Sequence, residues 1–376
     1  MSAHGRRPAV HLFSDVLGPY GGIESYLDAL ARRLKAEAWP VRIYVSCNDR
    51  APFLDDLEAL GIPVYRQPVV PGDRWHVRQR LLAWRVAREL EPGDWVYCVR
   101  QPMPGVYPWL VRMVHRHGGK VAASWALAPE FLPAPEGRAG KSWRAAVAET
   151  DAVISVSECT LGQFKQMYGY EGPVHVVRYH NREQFGDTVP LPGTATLEIG
   201  FLGRIDIAHK NLDTILAAFR GIASRRGNVR LNLHGGGPDT RRVEQLIDAQ
   251  GLRDLVTLHG SYDHRTQLRE IVARNHVFVY TSRFEGGPCF SLIELLQAGR
   301  FVVASPVGGI PDIYAGHPEA GELVRQDDAA AIADAFDRAL TRIEDGRIEP
   351  SRIRAIYREN FTEDVAHRQF AAALQL

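Results

Sequence analysis

The sequence predicts an α/β protein built from two doubly wound, Rossmann-like domains. Three observations lead there. At 376 residues the chain exceeds one ordinary hydrophobic core, so two domains are expected. Short apolar runs alternate with amphipathic stretches almost without interruption, the pattern of parallel strands joined by crossover helices. Residues 181–196 (NREQFGDTVPLPGTAT) lose that alternation and gather Pro, Gly and Thr, after which the series starts afresh.

In the first half, apolar runs predict strands near 8–14, 41–46, 63–66, 94–99, 120–125, 152–157 and 174–179. The amphipathic stretches between them predict helices near 22–37, 52–61, 75–90, 105–117, 142–150 and 158–168. Residues 181–196 then read as a linker. Beyond it, strands are expected near 197–204, 229–234, 256–259, 276–281, 301–305 and 321–325. Helices are expected near 211–225, 239–250, 264–274, 289–298 and 328–343, with closing helical segments near 351–358 and 363–374. The domains divide as 1–181 and 182–362.

Composition excludes several classes. Apolar and charged fractions are those of a soluble globular protein, and a net charge of +1 gives no electrostatic case for nucleic acid. Cys47, Cys98, Cys159 and Cys289 are far apart and form no C-x-x-C pair, so they read as free thiols in a reducing cytosol. No run reaches the ~18–20 apolar residues of a membrane span, and MSAHGRRPAVHLFSD lacks the apolar core of a secretory signal. The expected location is cytoplasmic. Charge is slightly uneven: the first 181 residues hold 22 Lys+Arg against 18 Asp+Glu, the remainder 23 against 26. The excess gathers in RWHVRQRLLAWRVARE (74–89), where five arginines and two tryptophans precede the first acid, Glu89. That helix reads first as a solvated face whose tryptophans reach the core. The second reading is an interfacial helix on an anionic membrane, extended by His115-Arg116-His117.

The motifs fall in the loops that follow strands. Gly21-Gly22, in GPYGGIE, stands after the first strand and opens a helix, where backbone N–H groups can meet a phosphate. It also reads as a plain tight turn, and it is not G-x-G-x-x-G. Gly203-Arg204 ends the first strand of the second series and Lys210 begins the next helix, so two cations can converge on one diphosphate or simply lie solvated. Gly235-Gly236-Gly237-Pro238 follows a strand and suits either a close backbone approach or a capped turn. The densest stretch is Tyr280–Asp312. There a strand end turns through Glu285-Gly286-Gly287-Pro288-Cys289-Phe290 into a helix carrying Glu294, and a second strand ends at Gly308-Gly309. Ligands of open parallel sheets bind at strand carboxyl ends, and carboxylates beside a phosphate loop suggest ribose or sugar hydroxyls. Asp-x-Asp, G-x-x-x-x-G-K-[ST], H-E-x-x-H and G-x-S-x-G are absent.

GGIESYLDALARRL, DAVISVSECT, GRIDIAHKNLDTILAAF, HGGGP and EGGPCFSLIELLQAG…FVVASPVGGIPD occur in that order over nearly the whole chain. Together they resemble the retaining glycosyltransferases of family 4, which have the GT-B fold. The resemblance implies two Rossmann-like domains facing across a cleft, with acceptor on the first and nucleotide sugar on the second. It implies that Arg204 and Lys210 neutralise the diphosphate in place of a metal, aided by Gly21, Gly22, Gly286 and Gly287. Glu294 would hold the ribose and Glu285 would face the donor sugar. Gly203, Gly235, Gly236, Pro288, Cys289 and Phe290 would complete the donor site. The last helix, 363–374, would cross back onto the first domain.

Two departures stand out. The family's motif places seven residues between its two glutamates, and eight lie between Glu285 and Glu294 here. Many members carry a histidine where this chain reads Val121-Ala122-Ala123-Ser124-Trp125, so Ser124 or Trp125 is expected on the acceptor side. The resulting expectation is a metal-independent retaining glycosyltransferase with no cofactor. It would move a hexose from a UDP- or GDP-linked donor to a glycan or lipid-linked acceptor, in bacterial surface polysaccharide or lipopolysaccharide synthesis. The enzyme would be peripheral at the inner face of the cell membrane. The rivals are a two-domain oxidoreductase, a non-hydrolysing sugar-nucleotide epimerase and a catalytically silent GT-B scaffold subunit.

Overall fold

The structure, a computed structural model, describes residues 6–17, 22–47, 51–68, 75–126, 136–180, 183–287 and 289–376. Contacts divide the chain into two compact units, residues 1–182 with 363–376 and residues 183–362.

The first unit holds seven parallel strands: β1 (Val10–Leu17), β2 (Val41–Cys47), β3 (Val64–Pro68), β4 (Trp95–Cys98), β5 (Lys120–Trp125), β6 (Ala152–Ser155) and β7 (Val174–Val176), in the order 3-2-1-4-5-6-7. The second holds six: β8 (Leu197–Leu202), β9 (Val229–His234), β10 (Val256–Gly260), β11 (Val277–Tyr280), β12 (Phe301–Ala304) and β13 (Gly321–Leu323), in the order 10-9-8-11-12-13. Both sheets are doubly wound. Strand order reverses between β1 and β4 in one and between β8 and β11 in the other, which opens a crevice beyond the carboxyl ends at each point. Central strands such as VFVY and FVVA are buried at every position, because helices cover both faces of a parallel sheet.

The first-unit strands are joined by α1 (Gly22–Ala36), α2 (Pro52–Ala59), α3 (Trp75–Arg88), α4 (Tyr107–Arg116), α5 (Gly137–Ala148) and α6 (Glu158–Tyr168). In the second unit come α7 (Ile207–Lys210), α8 (Leu212–Ala223), α9 (Thr240–Ala249), α10 (His264–Arg274), α11 (Phe290–Ala298), α12 (Pro311–Tyr314), α13 (Ala329–Glu344) and α14 (Pro350–Asn360), with α15 (Glu363–Leu374) last. Helical spacing explains the burial. Leu212, Ile215, Leu216, Phe219 and Ile222 form the inner stripe of α8, and Ile332, Phe336, Ala339 and Leu340 that of α13, which packs against it.

The closing helix α15 belongs to the first unit. His367 Nε2 lies 2.6 Å from Glu37 Oε2, just past α1, Asp364 accepts from Arg33 of α1 at 2.5 Å, and Phe370 packs edge-on against Tyr97 at 5.0 Å.

Two expectations need correction and one needs an addition. Residues 183–190 are no free linker, because Phe185 and Val189 are buried and Val189 N donates to Ala298 O at 3.0 Å. Trp125 is a core residue: its ring meets Phe164 at 4.5 Å, Tyr168 at 5.5 Å and Trp143 at 5.9 Å. Ser124 is buried as well, beside the Tyr97 hydroxyl, so both side chains, expected on the acceptor side, are enclosed by the first unit. The helix expected over 211–225 is α8, but a short helix that the sequence reading did not foresee, α7, precedes it, and Asn211 in the left-handed conformation (φ 60°) separates the two.

Candidate functional site

The crevice at the carboxyl ends of β8 and β11 gathers most of the polar residues singled out above. After β8 the chain runs through Gly203 and Arg204 to Asp206, whose carboxylate caps α7 by accepting from His209 N at 3.0 Å. The α7 turn is short because Asn211 leaves it at once. That break buries the preceding residue, Lys210, which is 8% exposed. After β11, the loop through Arg283, Phe284 and Glu285 comes back over the same turn. Arg283 ties the two loops together, donating to Ile207 O at 2.6 Å and to both carboxylate oxygens of Asp213 at 3.0 Å. His209 stacks flat on Phe284, with centroids 4.3 Å apart, and its Nε2 donates to the Phe284 carbonyl at 3.0 Å.

These restraints set Glu285 against two nitrogen groups. Its Oε1 accepts from Lys210 Nζ and lies 3.5 Å from His209 Nε2. The side chain is 10% exposed. Burial alone would raise the Glu285 pKa, but the hydrogen bond from His209 and the charge of Lys210 outweigh it and hold the carboxyl below the usual range. Lys210 is therefore no solvated surface cation. Arg204 is the opposite case, with 60% of its side chain exposed and one nitrogen 2.9 Å from Asp206 Oδ2. One cation is buried and anchored, and the other is exposed at the rim; both belong to the stretch that follows β8, where an anion would sit.

Glycines let these loops meet. Gly235 has φ 144° and sits against Gly203, so that a Cβ there would lie 1.8 Å from the Gly203 carbonyl oxygen. Gly235 and Gly237, whose Cβ would lie 2.2 Å from Ile205 O, thus pack the loop after β9 onto the loop after β8, while a Cβ on Gly236 would lie 2.3 Å from the Ser261 hydroxyl. Gly308 (φ 54°) serves the strand next to β11 likewise, since a Cβ would lie 2.2 Å from Glu285 O. Gly309 N then donates to Gly286 O at 2.8 Å and fixes the Gly286-Gly287 turn. Cys289 caps α11 with extended backbone, followed by Phe290 as its first residue. Burial, then the charge of Glu285, pushes the Cys289 thiol up to about 12, so it is protonated and inert at neutral pH. Gly21 and Pro288 lie outside the described residues, and Gly22 is the first residue of α1.

Glu294 lies in the second turn of α11 and is 3% exposed. Its Oε1 meets His264 Nε2 at 2.6 Å, from the start of α10. Tyr262 stands nearby; its hydroxyl is pushed far up by burial and then by the Glu294 charge. Reading the sequence alone misses His264, Asp206 and Arg283 as parts of this cluster. Only the short spacing of Asp206 from Arg204 and Lys210 signalled any of them. Asp213–Arg283 and His264–Glu294 join residues far apart in sequence that only the sheet order brings together.

The arrangement offers two cations, two buried carboxylates and a helix start at one crevice of the second unit. It suits a diphosphate flanked by hydroxyl-bearing groups. Comparison with known proteins agrees in kind. Residues 21–180 match the family described as glycosyl transferase 4-like domain, and residues 196–342 match glycosyl transferases group 1. The chain is 32% identical over 185 residues to a phosphatidyl-myo-inositol mannosyltransferase of Mycolicibacterium smegmatis, covering 48% of this chain and 43% of that one. It is 28% identical over 141 residues to the gpi3 subunit of phosphatidylinositol N-acetylglucosaminyltransferase of Schizosaccharomyces pombe, covering 38% of this chain and 30% of that one. These matches span less than half of either relative. In fold, the chain superposes on Anabaena HepE, solved in complex with UDP, with a TM-score of 0.77 over 98% of this chain and 99% of that one, at 16% identity.

Proposed function

The chain belongs to the GT-B glycosyltransferases that join a glycosyl transferase 4-like domain to a glycosyl transferases group 1 domain, and we propose that it moves a hexose from a UDP- or GDP-linked donor to a glycan or lipid-linked acceptor, with retention and without a metal. The observation that carries this reading is the Lys210–Glu285 pair at the β8/β11 crevice, with Arg204 at its rim and Glu294 in the second turn of the helix that follows Glu285. The second unit takes the donor and the first takes the acceptor. Lys210 and Arg204 stabilise the diphosphate as its charge develops. To do so each exchanges a carboxylate partner, Glu285 or Asp206, for phosphate oxygen. Glu294 holds the ribose hydroxyls and Glu285 faces the sugar. The bond from the anomeric carbon to the phosphate oxygen breaks as the acceptor oxygen attacks from the same face. The acceptor proton passes to the departing phosphate, so no strong protein base is needed.

Two relatives named for phosphatidylinositol acceptors support a lipid-linked acceptor, and synthesis of surface polysaccharide at the inner face of the membrane is the setting that fits. The test begins with stabilisation by UDP and GDP, expected to reach about 2.7 kcal/mol at ~100 times the Kd. Turnover of the matching nucleotide hexoses is then followed with acceptor, with NMR of the product's anomeric configuration. Activity is expected to survive EDTA. Loss of activity restored by Mg²⁺ overturns the metal-free reading, and release of an epimerised donor sugar without acceptor replaces transfer altogether.

His264 acts through Glu294 in this scheme. His264→Ala is expected to raise the donor KM roughly tenfold while kcat stays within about twofold, because a ground-state ribose contact loses its orientation. His264→Gln should recover part of that loss. An unchanged KM in both variants removes His264 from the site.

A further inference from the structure

Among the described residues, four large apolar side chains are notably exposed, and three of them lie on one helix: Val77 at 53%, Leu81 at 51% and Trp84 at 44%. The spacing i, i+4, i+7 puts them on one face of α3, and Arg80 and Arg88, at i+3 and i+11, lie on the same face. Both arginines are exposed, and the Arg88 guanidinium lies over the Trp84 ring at 4.7 Å. Together with Trp109 of α4, the side chains of Val77, Arg80, Leu81 and Trp84 line a shallow depression. The opposite face of α3 carries Leu82, Ala83 and Val86, all fully buried, and anchors the helix to the sheet. The expectation that the tryptophans here reach the core is therefore wrong for Trp84.

We infer that this face of α3 docks on the surface of an anionic phospholipid bilayer. The charge pattern selects that occupant. Neither α3 nor α4 contains an acid, whereas together they carry Arg78, Arg80, Arg85, Arg88, Arg112 and Arg116. Glu89, which follows α3 directly, is already bound by Arg85 at 2.7 Å and by the Tyr44 hydroxyl at 2.6 Å, and Asp151 lies 2.8 Å from His115 of α4 and accepts from Val121 N at 2.7 Å. Arginines interleaved with an apolar stripe place guanidinium groups at lipid phosphates while Val, Leu and Trp enter the headgroup boundary. Among the described residues no helix is long and apolar enough to cross a membrane, so the contact is one of surface adsorption. Not every arginine takes part. Arg78 is buried and Arg85 is engaged by Glu89, which leaves Arg80 and Arg88 as the lipid-facing pair, joined by Arg112 and Arg116 from α4.

This inference deepens the proposed placement at a membrane and rests on it, but it is measured without sugar chemistry. The full chain is sedimented with vesicles of phosphatidylcholine alone or mixed equally with phosphatidylglycerol. Binding is expected for the anionic vesicles only and should weaken with salt. Leu81→Glu combined with Trp84→Glu should cut partitioning at least tenfold. Arg80→Gln and Arg88→Gln should each weaken it about fivefold. All four positions are exposed, so thermal stability and donor turnover with a soluble acceptor should stay at the wild-type level. Wild-type protein that stays in the supernatant, or variants that bind like wild type, overturns the inference. So does a concentration-dependent dimer dispersed by Leu81→Glu, which assigns the face to a second copy of the chain. Vesicle binding without any donor turnover leaves the docking face standing and places the failure on the catalytic reading.

Discussion

Lys210→Ala is expected to lower kcat/KM by at least ~10²-fold, about 2.7 kcal/mol or more of transition-state stabilisation. Lys210 is buried, ends a four-residue helix, and is held by Glu285, so its ammonium is positioned before any ligand arrives. A preorganised charge in a poorly solvated crevice acts more strongly on a developing phosphate charge than a mobile surface cation does. The substitution should also cost stability, about 1–3 kcal/mol, because Glu285 keeps its burial and loses one of its two partners. The sign with pH follows. In the wild type the Glu285 carboxyl titrates below its ordinary range, so its contribution is complete at neutral pH and is lost only as pH falls through the depressed value. In Lys210→Ala, with His209 alone beside the carboxylate, that contribution should shrink and acid unfolding should begin at higher pH. Adding Glu285→Gln should return most of the stability and none of the turnover, which separates the two roles. Near-normal turnover in Lys210→Ala would remove the residue from the proposed chemistry.

The strand positions were legible because parallel strands covered on both faces read as continuous apolar runs, as VFVY and FVVA do. That same property hid the role of Trp125. With both faces buried, the pattern along β5 does not say which side meets aromatic core and which meets a crevice. Helix α3 failed differently. Val77, Leu81 and Trp84 on one side and Leu82, Ala83 and Val86 on the other give two apolar stripes, and spacing alone does not decide which faces inward. In the site, the glycines and cations could be read directly, since each stands beside a strand end. Their partners could not. Glu285 finds Lys210 and His209, Arg283 finds Asp213, and Glu294 finds His264 only because β11 lies beside β8 in the folded sheet.

The segment read as a linker leads to the largest expected change in stability. Arg300→Met should destabilise the second unit by about 3–5 kcal/mol, lowering its thermal transition by roughly 10 °C. Arg300 is fully buried, and its hydrogen-bond partners are backbone carbonyls: Val272 at 3.2 Å, Asn275 at 3.1 Å, Val189 at 2.5 Å and Pro190 at 2.7 Å. Burial pushes its pKa down to about 10, so it stays charged at neutral pH and the four carbonyl dipoles solvate the charge in place of water. Methionine matches the stem of the side chain but supplies no donor, so those carbonyls would be left dry at a cost of about 1–3 kcal/mol for each that cannot reach water. Arg354 fastens the same segment a few residues earlier, donating to Phe185 O at 2.7 Å and pairing with Glu183. With Arg300 gone, residues 187–193 should lose their hold before the sheet does. Limited proteolysis should then cut there at temperatures well below the main transition. Arg300→Lys, which keeps a charge and three donors, should fall between the two. A Met variant that melts with the wild type and resists protease equally would mean that the carbonyls find other donors, and that the segment is held by Phe185 and Val189 packing alone.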